Sequence, residues 1–507
     1  MNISLLLEMA AEAAPDRVAL ACDDKRWTYA DLLAAARGAC ELIRESGCSH
    51  VALLDESSVA AVIMLFGAAL AGVPYCPLNY RLANQELGAL LGRIAPAMIV
   101  GDKPRIIRLG PAGARIEAGH TVFSRAEFTQ KVQEFTPAAA DRRDSGADDS
   151  EAIAVQLFTS GTTAAPKAAI LRHSNLLSYI LGTVEFASAG EADAALVSVP
   201  PYHIAGISLL LGSIHAQRRI VMLPVFTPET WLKLAVSERV TNAFVVPTML
   251  SRIIAALAPG EHKNLGALRA VSYGGGKMPL ELIRKALELM PDIDFTNSYG
   301  LTETSSTVAL LGPDDHRKAH TADDPGVRAR LTSVGKPLPT IELEIRDAQG
   351  CVLPFGQAGE IHVRGDQVSG EYTERCARDA DGWFPTRDAG YLDEHGYLFL
   401  LGRADDVIVR GGENISPGAI EDLLLTDPAI VDACAVGVPC AEWGEAIGIA
   451  VVIRDGHSCP REDDLRQLIR NRLRSSRVPH RIMFVKELPY NEMGKLLRRE
   501  VRTLLAG

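Results

Sequence analysis

An apolar run, Ile153-Ala-Val-Gln-Leu-Phe158, passes directly into Thr159-Ser-Gly-Thr-Thr-Ala-Ala-Pro-Lys167. The run reads as a buried strand, and the segment after it is small, hydroxyl-rich and closed by a lysine. A strand that ends in such a turn leaves backbone N–H groups unpaired. Those donors, with hydroxyls and an ammonium beside them, suit phosphate oxygens. The spacing is not that of the common phosphate loop: no second glycine precedes Lys167 and no Ser or Thr follows it. Taken alone, the segment suits an ordinary surface turn equally well, so the remainder of the chain has to decide.

Apolar strands alternate with helical patterns on both sides of this loop. Residues 30–43 read as a helix, 51–54 as a strand, 59–70 as a buried helix and 97–100 as another strand. Such alternation predicts an α/β fold with a largely parallel sheet. After the loop, strands over 195–199, 219–223 and 242–246 predict a second α/β unit following the first. Beyond about residue 330 the texture changes to short alternating strands with glycine-rich turns (341–345, 359–363 and 397–400), which predicts a small antiparallel β-rich portion. The last hundred or so residues form a further α+β pattern, with a helix over 462–473. Residues 136–150 carry no hydrophobic periodicity and read as an exposed connection.

At 507 residues the chain exceeds what one core supports, so several domains or subdomains are expected. A net charge of −11 offers no broad basic field and argues against a primary nucleic-acid binder. The nine cysteines are scattered, without a Cys-x-x-Cys, and read as reduced, mostly buried thiols of a cytoplasmic protein. The N-terminus lacks the pattern of a signal peptide. The longest apolar run, 59–73, is interrupted by Gly67 and Gly72 and closed by Pro74, too short to span a bilayer. The expectation is a protein with no transmembrane segment, and a homodimer is compatible with the sequence.

Four further stretches carry residue types that a nucleotide-using enzyme needs. Tyr273-Gly-Gly-Gly276 follows a strand, and Gly274, Gly275 and Gly276 would let a flat ligand lie on bare backbone; a tight turn is the plain alternative. Asn297-Ser-Tyr-Gly-Leu-Thr-Glu303 sets an aromatic ring, a hydroxyl and a carboxylate close together. Tyr299 can stack on a base, Thr302 can donate to phosphate and Glu303 can hold Mg²⁺ as a hard oxygen ligand. Asp388 and Arg403 lie on either side of a hairpin-like pattern; a carboxylate accepts from both ribose hydroxyls, and a surface ion pair is the alternative. Lys495 sits in the glycine-containing stretch Asn491-Glu-Met-Gly-Lys495 near the C-terminus, where a lysine is usually just solvated.

Together, in order and over nearly the whole chain, these stretches resemble the adenylate-forming superfamily: acyl-CoA synthetases, peptide-synthetase adenylation domains and firefly-type luciferases. The resemblance implies a large N-terminal domain over 1–402, made of two α/β subdomains and a small β-rich one, and a mobile α+β C-terminal domain over 403–507. It implies a phosphate loop of Thr159, Ser160, Gly161, Thr162, Thr163 and Lys167. It implies an adenine segment of Asn297, Ser298, Tyr299 and Gly300 beside Gly274–Gly276, and a ribose contact at Asp388 with Arg403 near it. Mg²⁺ falls to Glu303 and Thr162, and catalysis to Lys495 with Thr302, Glu303 and His203. The hinge falls at Asp405 and a thiol tunnel at Gly411, Gly412 and Glu413. Two positions where the family usually has glycine are Ala164 and Ala168 here; if either needs φ > 0, alanine costs on the order of 1 kcal/mol.

The implied reaction has two halves. A carboxylate attacks the α-phosphorus of ATP and expels pyrophosphate, and then a thiol displaces AMP. Lys495 bridges carboxylate and α-phosphate in the first half and must leave before the thiol arrives. Pro200-Pro-Tyr-His-Ile-Ala-Gly206 resembles the segment at the acyl pocket, with His203 beside the substrate carboxylate; a merely packed histidine is the alternative. Tyr202 to Leu211 contains no acid to pair a substrate ammonium, which disfavours α-amino acids. Dicarboxylate-using relatives tend to carry an arginine just before the Tyr-Gly pair, and Asn297-Ser298 offers none. The remaining pocket residues, Ile204, Ile207, Val246, Met249, Gly275, Met278 and Ser305, are apolar or small and favour a hydrophobic or aromatic acid. The leading expectation is therefore an acyl- or aryl-CoA ligase using ATP, Mg²⁺ and coenzyme A. Its rivals are an enzyme loading a carrier-protein phosphopantetheine and a non-catalytic nucleotide-binding protein.

Overall fold

A computed structural model describes residues 1–22, 24–108, 119–134, 149–159, 166–257, 265–403, 406–410, 413–440, 442–473, 475–490 and 496–506. Two large, mostly parallel sheets dominate it. The first has eight strands, in the order Arg375–Cys376, Glu371–Tyr372, Lys167–Arg172, Ile153–Thr159, Tyr75–Pro77, His50–Leu54, Ala97–Gly101 and Thr121–Ser124. The second has nine, from Lys336–Pro337 through Ser306–Leu311, Asp294–Leu301, Ala270–Gly274, Asn242–Val245, Ala194–Val197 and Arg219–Met222 to Val18–Cys22 and Lys25–Thr28.

The helix Val59–Ala71 is buried on nearly every face, as its uninterrupted apolar content requires, and Gly67 lets it close on its neighbour: an added Cβ would lie 2.6 Å from Ala39 Cβ. It joins the helices Ser4–Ala13, Tyr29–Ser46 and Ile204–His215 in one core fed by strands of both sheets. Thr28 caps the second of these, its hydroxyl accepting from Asp31 N at 3.1 Å while the Asp31 carboxylate accepts from Thr28 N at 2.9 Å.

The expectation of two successive α/β units needs correction. Strand Val18–Cys22 lies in the second sheet, beside Arg219–Met222, and Ile153–Thr159 lies in the first, beside Tyr75–Pro77. The two sheets are therefore interleaved along the chain and share a core, because Val18–Cys22 and Tyr75–Pro77 each pair with a strand far downstream. The thiols also differ from expectation: Cys40, Cys76 and Cys434 are buried, whereas Cys351, Cys376 and Cys459 are exposed.

The strands Glu342–Arg346, Gly359–Arg364, Phe384–Leu392 and Leu398–Arg403 form a four-stranded antiparallel sheet, as the short alternating patterns predicted. From residue 408 onward a five-stranded sheet and the helices Pro417–Leu424, Glu462–Arg472 and Arg498–Ala506 build two cores that contain no residue from the earlier chain. Contacts back to the larger part include Ser416 Oγ to Leu401 O at 2.9 Å and the Lys277 ammonium on Asp422 (2.8 Å) and on Gly418 O (3.2 Å).

Candidate active site

Thr159 ends its strand directly opposite Lys167, and the Thr159 hydroxyl donates to Lys167 O at 3.5 Å. The loop between them, with Ser160, Gly161, Thr162, Thr163 and Ala164, lies outside the described residues. Its two ends are thus held together by an antiparallel pair. Ala168 sits inside the strand Lys167–Arg172, fully buried and not among the residues with positive φ, so alanine carries no backbone cost there.

Strand Asp294–Leu301 runs beside Ala270–Gly274, and in each strand a glycine is required by close approach of backbone across the sheet. An added Cβ at Gly274 would lie 2.3 Å from Ser298 O, and one at Gly300 would lie 1.7 Å from Ser306 O. Tyr273 and Gly274 therefore belong to the strand and not to a turn after it. Gly275, at φ +74, makes the turn and faces Val246, whose Cγ1 would be 3.6 Å from an added Cβ. Asn297 is buried and spends its amide on Ser333 O at 3.1 Å.

Tyr299 points its hydroxyl at Asp388 Oδ2, 2.8 Å away, and Arg403 donates to Asp388 Oδ1 at 2.9 Å. The two strands set this up, because Asp388 and Arg403 are direct cross-strand partners. Thr386 fixes the turn: its hydroxyl donates to Ile361 O at 2.8 Å and accepts from Asp388 N at 3.1 Å. Burial and the Asp388 charge push the Tyr299 pKa well above its ordinary value, so the phenol remains a donor. Burial works against the Arg403 charge, and Asp388, joined by Tyr299 and Glu303, more than offsets it. Asp388 is thereby a carboxylate acceptor with a fixed orientation.

Beyond Leu301 the chain turns through Thr302–Thr304, and Glu303 Oε1 accepts the Tyr372 hydroxyl at 2.6 Å. Gly370 N donates to Glu303 O at 3.0 Å, and Gln367 braces the turn by donating to Thr304 O (3.0 Å) and Thr307 O (2.8 Å). The other Glu303 oxygen accepts no hydrogen bond among the described residues, and no group of three His, Cys, Asp or Glu ligands occurs among them. One hard carboxylate with an open oxygen fits Mg²⁺, which binds through few carboxylates plus waters and substrate phosphates. Thr162, the second expected ligand, lies outside the described residues.

His203 precedes the helix Ile204–His215, with its ring 4.4 Å from that of Tyr202. Burial, helped by the Arg81 charge, pushes its pKa down to about 3, and its Nε2 is buried with no partner among the described residues. A neutral imidazole with an orphaned nitrogen suits an uncharged or anionic ligand oxygen. The other expected pocket residues are distributed. Ile207 packs in the core shared by the two large sheets, and Ile204 packs against that core. Met278 belongs to a second core, with Met249 packed against it, and Val246 lies by Gly275. Ser305 is fully buried, in the left-handed region at φ +55, and its hydroxyl has no partner among the described residues.

Glu413 begins the strand Glu413–Ile415, while Gly411, Gly412, Asp405 and Lys495 lie outside the described residues. Tyr372 and Gln367 escaped sequence reasoning. The pairing of strand Glu371–Tyr372 with Lys167–Arg172, roughly 200 residues away, brings Tyr372 to Glu303, and no local pattern announces it.

Known proteins resemble this chain over most of its length. The family described as AMP-binding enzyme matches residues 7–373, and its C-terminal domain, AMP-binding enzyme C-terminal domain, matches residues 419–495. A 2-succinylbenzoate–CoA ligase of Bacillus cereus (strain AH820) is 30% identical over 98% of both chains. The fatty acid–[acyl-carrier-protein] ligase ScoC of Streptomyces coeruleorubidus is 29% identical over 98% of this chain and 95% of its own. The o-succinylbenzoate CoA synthetase MenE of Bacillus subtilis, solved with its acyl-adenylate intermediate OSB-AMP, superposes with a TM-score of 0.82 at 28% identity, covering 98% of this chain and 97% of that one. The same enzyme, solved with ATP and magnesium ion, superposes at 0.81 and 27% identity over 98% and 99%. The chain belongs to the AMP-binding enzyme family, the adenylate-forming ligases its motifs resemble.

Proposed function

We propose that this protein is an AMP-forming acid–thiol ligase that activates an aromatic carboxylic acid with ATP and passes it to the thiol of coenzyme A. The convergence of Tyr299, Asp388 and Arg403 carries the reading, because a hairpin pair and a strand residue 89 positions before Asp388 build one oriented carboxylate suited to ribose hydroxyls. Relatives that span almost the whole chain, among them ligases named for 2-succinylbenzoate, support the aromatic acid.

In the first half-reaction a carboxylate oxygen forms a bond to the α-phosphorus while the bond from that phosphorus to the β-bridging oxygen breaks, and pyrophosphate leaves with the electron pair. Asp388 holds the ribose and Tyr299 keeps Asp388 oriented. Asn297, Ser298, Gly300 and Gly274–Gly276 border the base. Thr159 to Thr163 and Lys167 hold the outer phosphates, with Thr302 donating to phosphate. Lys495 supplies the cation between the two anions. Glu303 and Thr162 would hold Mg²⁺, which would offset phosphate charge. His203, neutral at working pH, donates to the acid's carboxylate at the mouth of a pocket bordered by Ile204, Val246, Met249 and Gly275.

In the second half-reaction the thiolate sulfur attacks the acyl carbon and AMP leaves with the bonding pair. The domain from residue 403 onward turns about Asp405, withdrawing Lys495 and presenting Gly411, Gly412 and Glu413 to the thiol. The separate cores beyond residue 408 support this division. A carrier-protein phosphopantetheine is the second candidate for acceptor, favoured by the likeness to ScoC. Thioester formation is measured with 2-succinylbenzoate, benzoate and medium-chain fatty acids, each against coenzyme A and a phosphopantetheinylated carrier. Turnover of an aromatic acid with coenzyme A is expected. Turnover with the carrier alone, or with fatty acids alone, overturns the respective half of the proposal.

A further inference from the structure

Tyr372 is the centre of a charge arrangement that the ribose and acyl sites do not use. Its hydroxyl is committed to Glu303 at 2.6 Å, while Lys167 Nζ lies 5.8 Å and Arg375 Cζ 5.9 Å from the centroid of its ring. Cross-strand pairing produces this: Tyr372 is the partner of Ala169, two residues beyond Lys167, and Arg375 pairs back with Tyr372. Burial and Glu303 raise the Tyr372 pKa, and the charges of Arg375 and Arg387 act against them.

Arg387 is unusual in its backbone. It adopts φ +59, a region that costs every residue with a Cβ, and it sits between Thr386, which fixes the turn, and Asp388. Its N–H donates to Glu360 Oε1 at 3.1 Å, but its exposed side chain has no hydrogen-bond or salt-bridge partner among the described residues, and neither does that of Arg375. Arginines that contact the same hairpin are paired: Arg93 with Glu374 at 2.6 Å and Arg172 with Glu371 at 2.7 Å. In a chain of net charge −11, three cations without a salt bridge among the described residues act on one tyrosine, Lys167 and Arg375 from beside its ring and Arg387 through its charge. A polyanion brought to that point finds an excess of positive charge.

We propose that Arg375 and Arg387 complete, with Lys167, a cationic collar around the Glu303–Tyr372 pair that takes the β- and γ-phosphoryl groups of ATP and retains pyrophosphate after the α-phosphorus bond breaks. The strained arginine is kept because its guanidinium serves the leaving group. This inference rests on the adenylation reading of the same site.

The test uses the full chain with Arg375→Gln, Arg387→Gly, the double variant and Arg375→Lys. The readouts are the KM for ATP and the inhibition constant of pyrophosphate during adenylation, the KM for the acid, and the melting temperature. Each charge-removing single variant is expected to weaken pyrophosphate inhibition about three- to tenfold, and the double variant to do so roughly multiplicatively. The KM for the acid should stay unchanged and Arg375→Lys should stay close to the parent. Arg387→Gly should also melt at the same or a higher temperature, because glycine adopts φ +59 freely, which separates lost affinity from misfolding. Pyrophosphate inhibition unchanged in the double variant, with the parent inhibited normally, overturns the collar alone. A parent that binds neither ATP nor pyrophosphate overturns the adenylation reading beneath it.

Discussion

Replacing Asp388 with Asn keeps the shape of the side chain and removes its charge. The carboxylate is 13% exposed and is held from two sides, by Tyr299 at 2.8 Å and Arg403 at 2.9 Å, so it has little freedom to reorient when a nucleotide arrives. An amide retains one acceptor oxygen and turns an NH₂ toward either the phenol or the guanidinium, both donors themselves. One charge-assisted hydrogen bond to ribose is therefore lost, about 1.5–3 kcal/mol, which corresponds to about 10- to 150-fold in apparent affinity for ATP. The fold should lose no more than about 1 kcal/mol, since the Asp388–Arg403 pair is partly exposed. The assay is the KM for ATP in acid-dependent adenylation, run in parallel with 2′-deoxy-ATP. The parent should prefer ATP strongly and Asp388→Asn should lose most of that preference. A KM within about threefold of the parent, or a preference for the ribonucleotide that survives intact, would refute the assignment of Asp388 to ribose.

Lys495→Ala should abolish adenylate formation yet leave thioester formation from a supplied acyl-adenylate largely intact, measured as two separate half-reactions; equal loss in both contradicts domain alternation. Acid should destabilise the fold through buried histidines. His173 is 2% exposed, its Nδ1 accepts from Ile3 N at 3.3 Å, and burial with the N-terminal charge holds its pKa at about 4. The unfolded chain takes up that proton near pH 6.5 and the folded one only near 4. This contribution, about 3 kcal/mol, is present above pH 6.5 and lost as pH falls toward 4. Denaturant melts at pH 7, 5.5 and 4.5 should show the loss, and His173→Asn should flatten it. A slope unchanged by the substitution assigns the acid sensitivity elsewhere.

Much of this was legible in the sequence because it rests on local pattern. The buried helix Val59–Ala71, the strand ahead of the threonine-rich loop and the pairing of Asp388 with Arg403 follow from apolar periodicity and turn residues. What escaped depends on long-range pairing. Nothing near Val18 indicates that its strand joins a sheet with Ile220, and nothing near Tyr372 indicates Lys167 as a neighbour. Gly274 and Gly300 show a subtler limit. At Gly274 the sequence pointed to bare backbone and at Gly300 only the family resemblance did, and the cause at each, the carbonyls of Ser298 and Ser306, lies across the sheet. Arg387 is the converse case, since its side chain reads as an ordinary surface charge until its left-handed backbone is known.

The central claim is that these dispersed segments form one centre where a carboxylate captures AMP. Its most direct test is the exchange of labelled pyrophosphate into ATP by the full chain, without thiol, across aromatic, fatty and small carboxylic acids. The account requires exchange that depends on the acid, is strongest with an aromatic one, and vanishes in Lys495→Ala. No exchange with any acid, or exchange that proceeds without one, would contradict it.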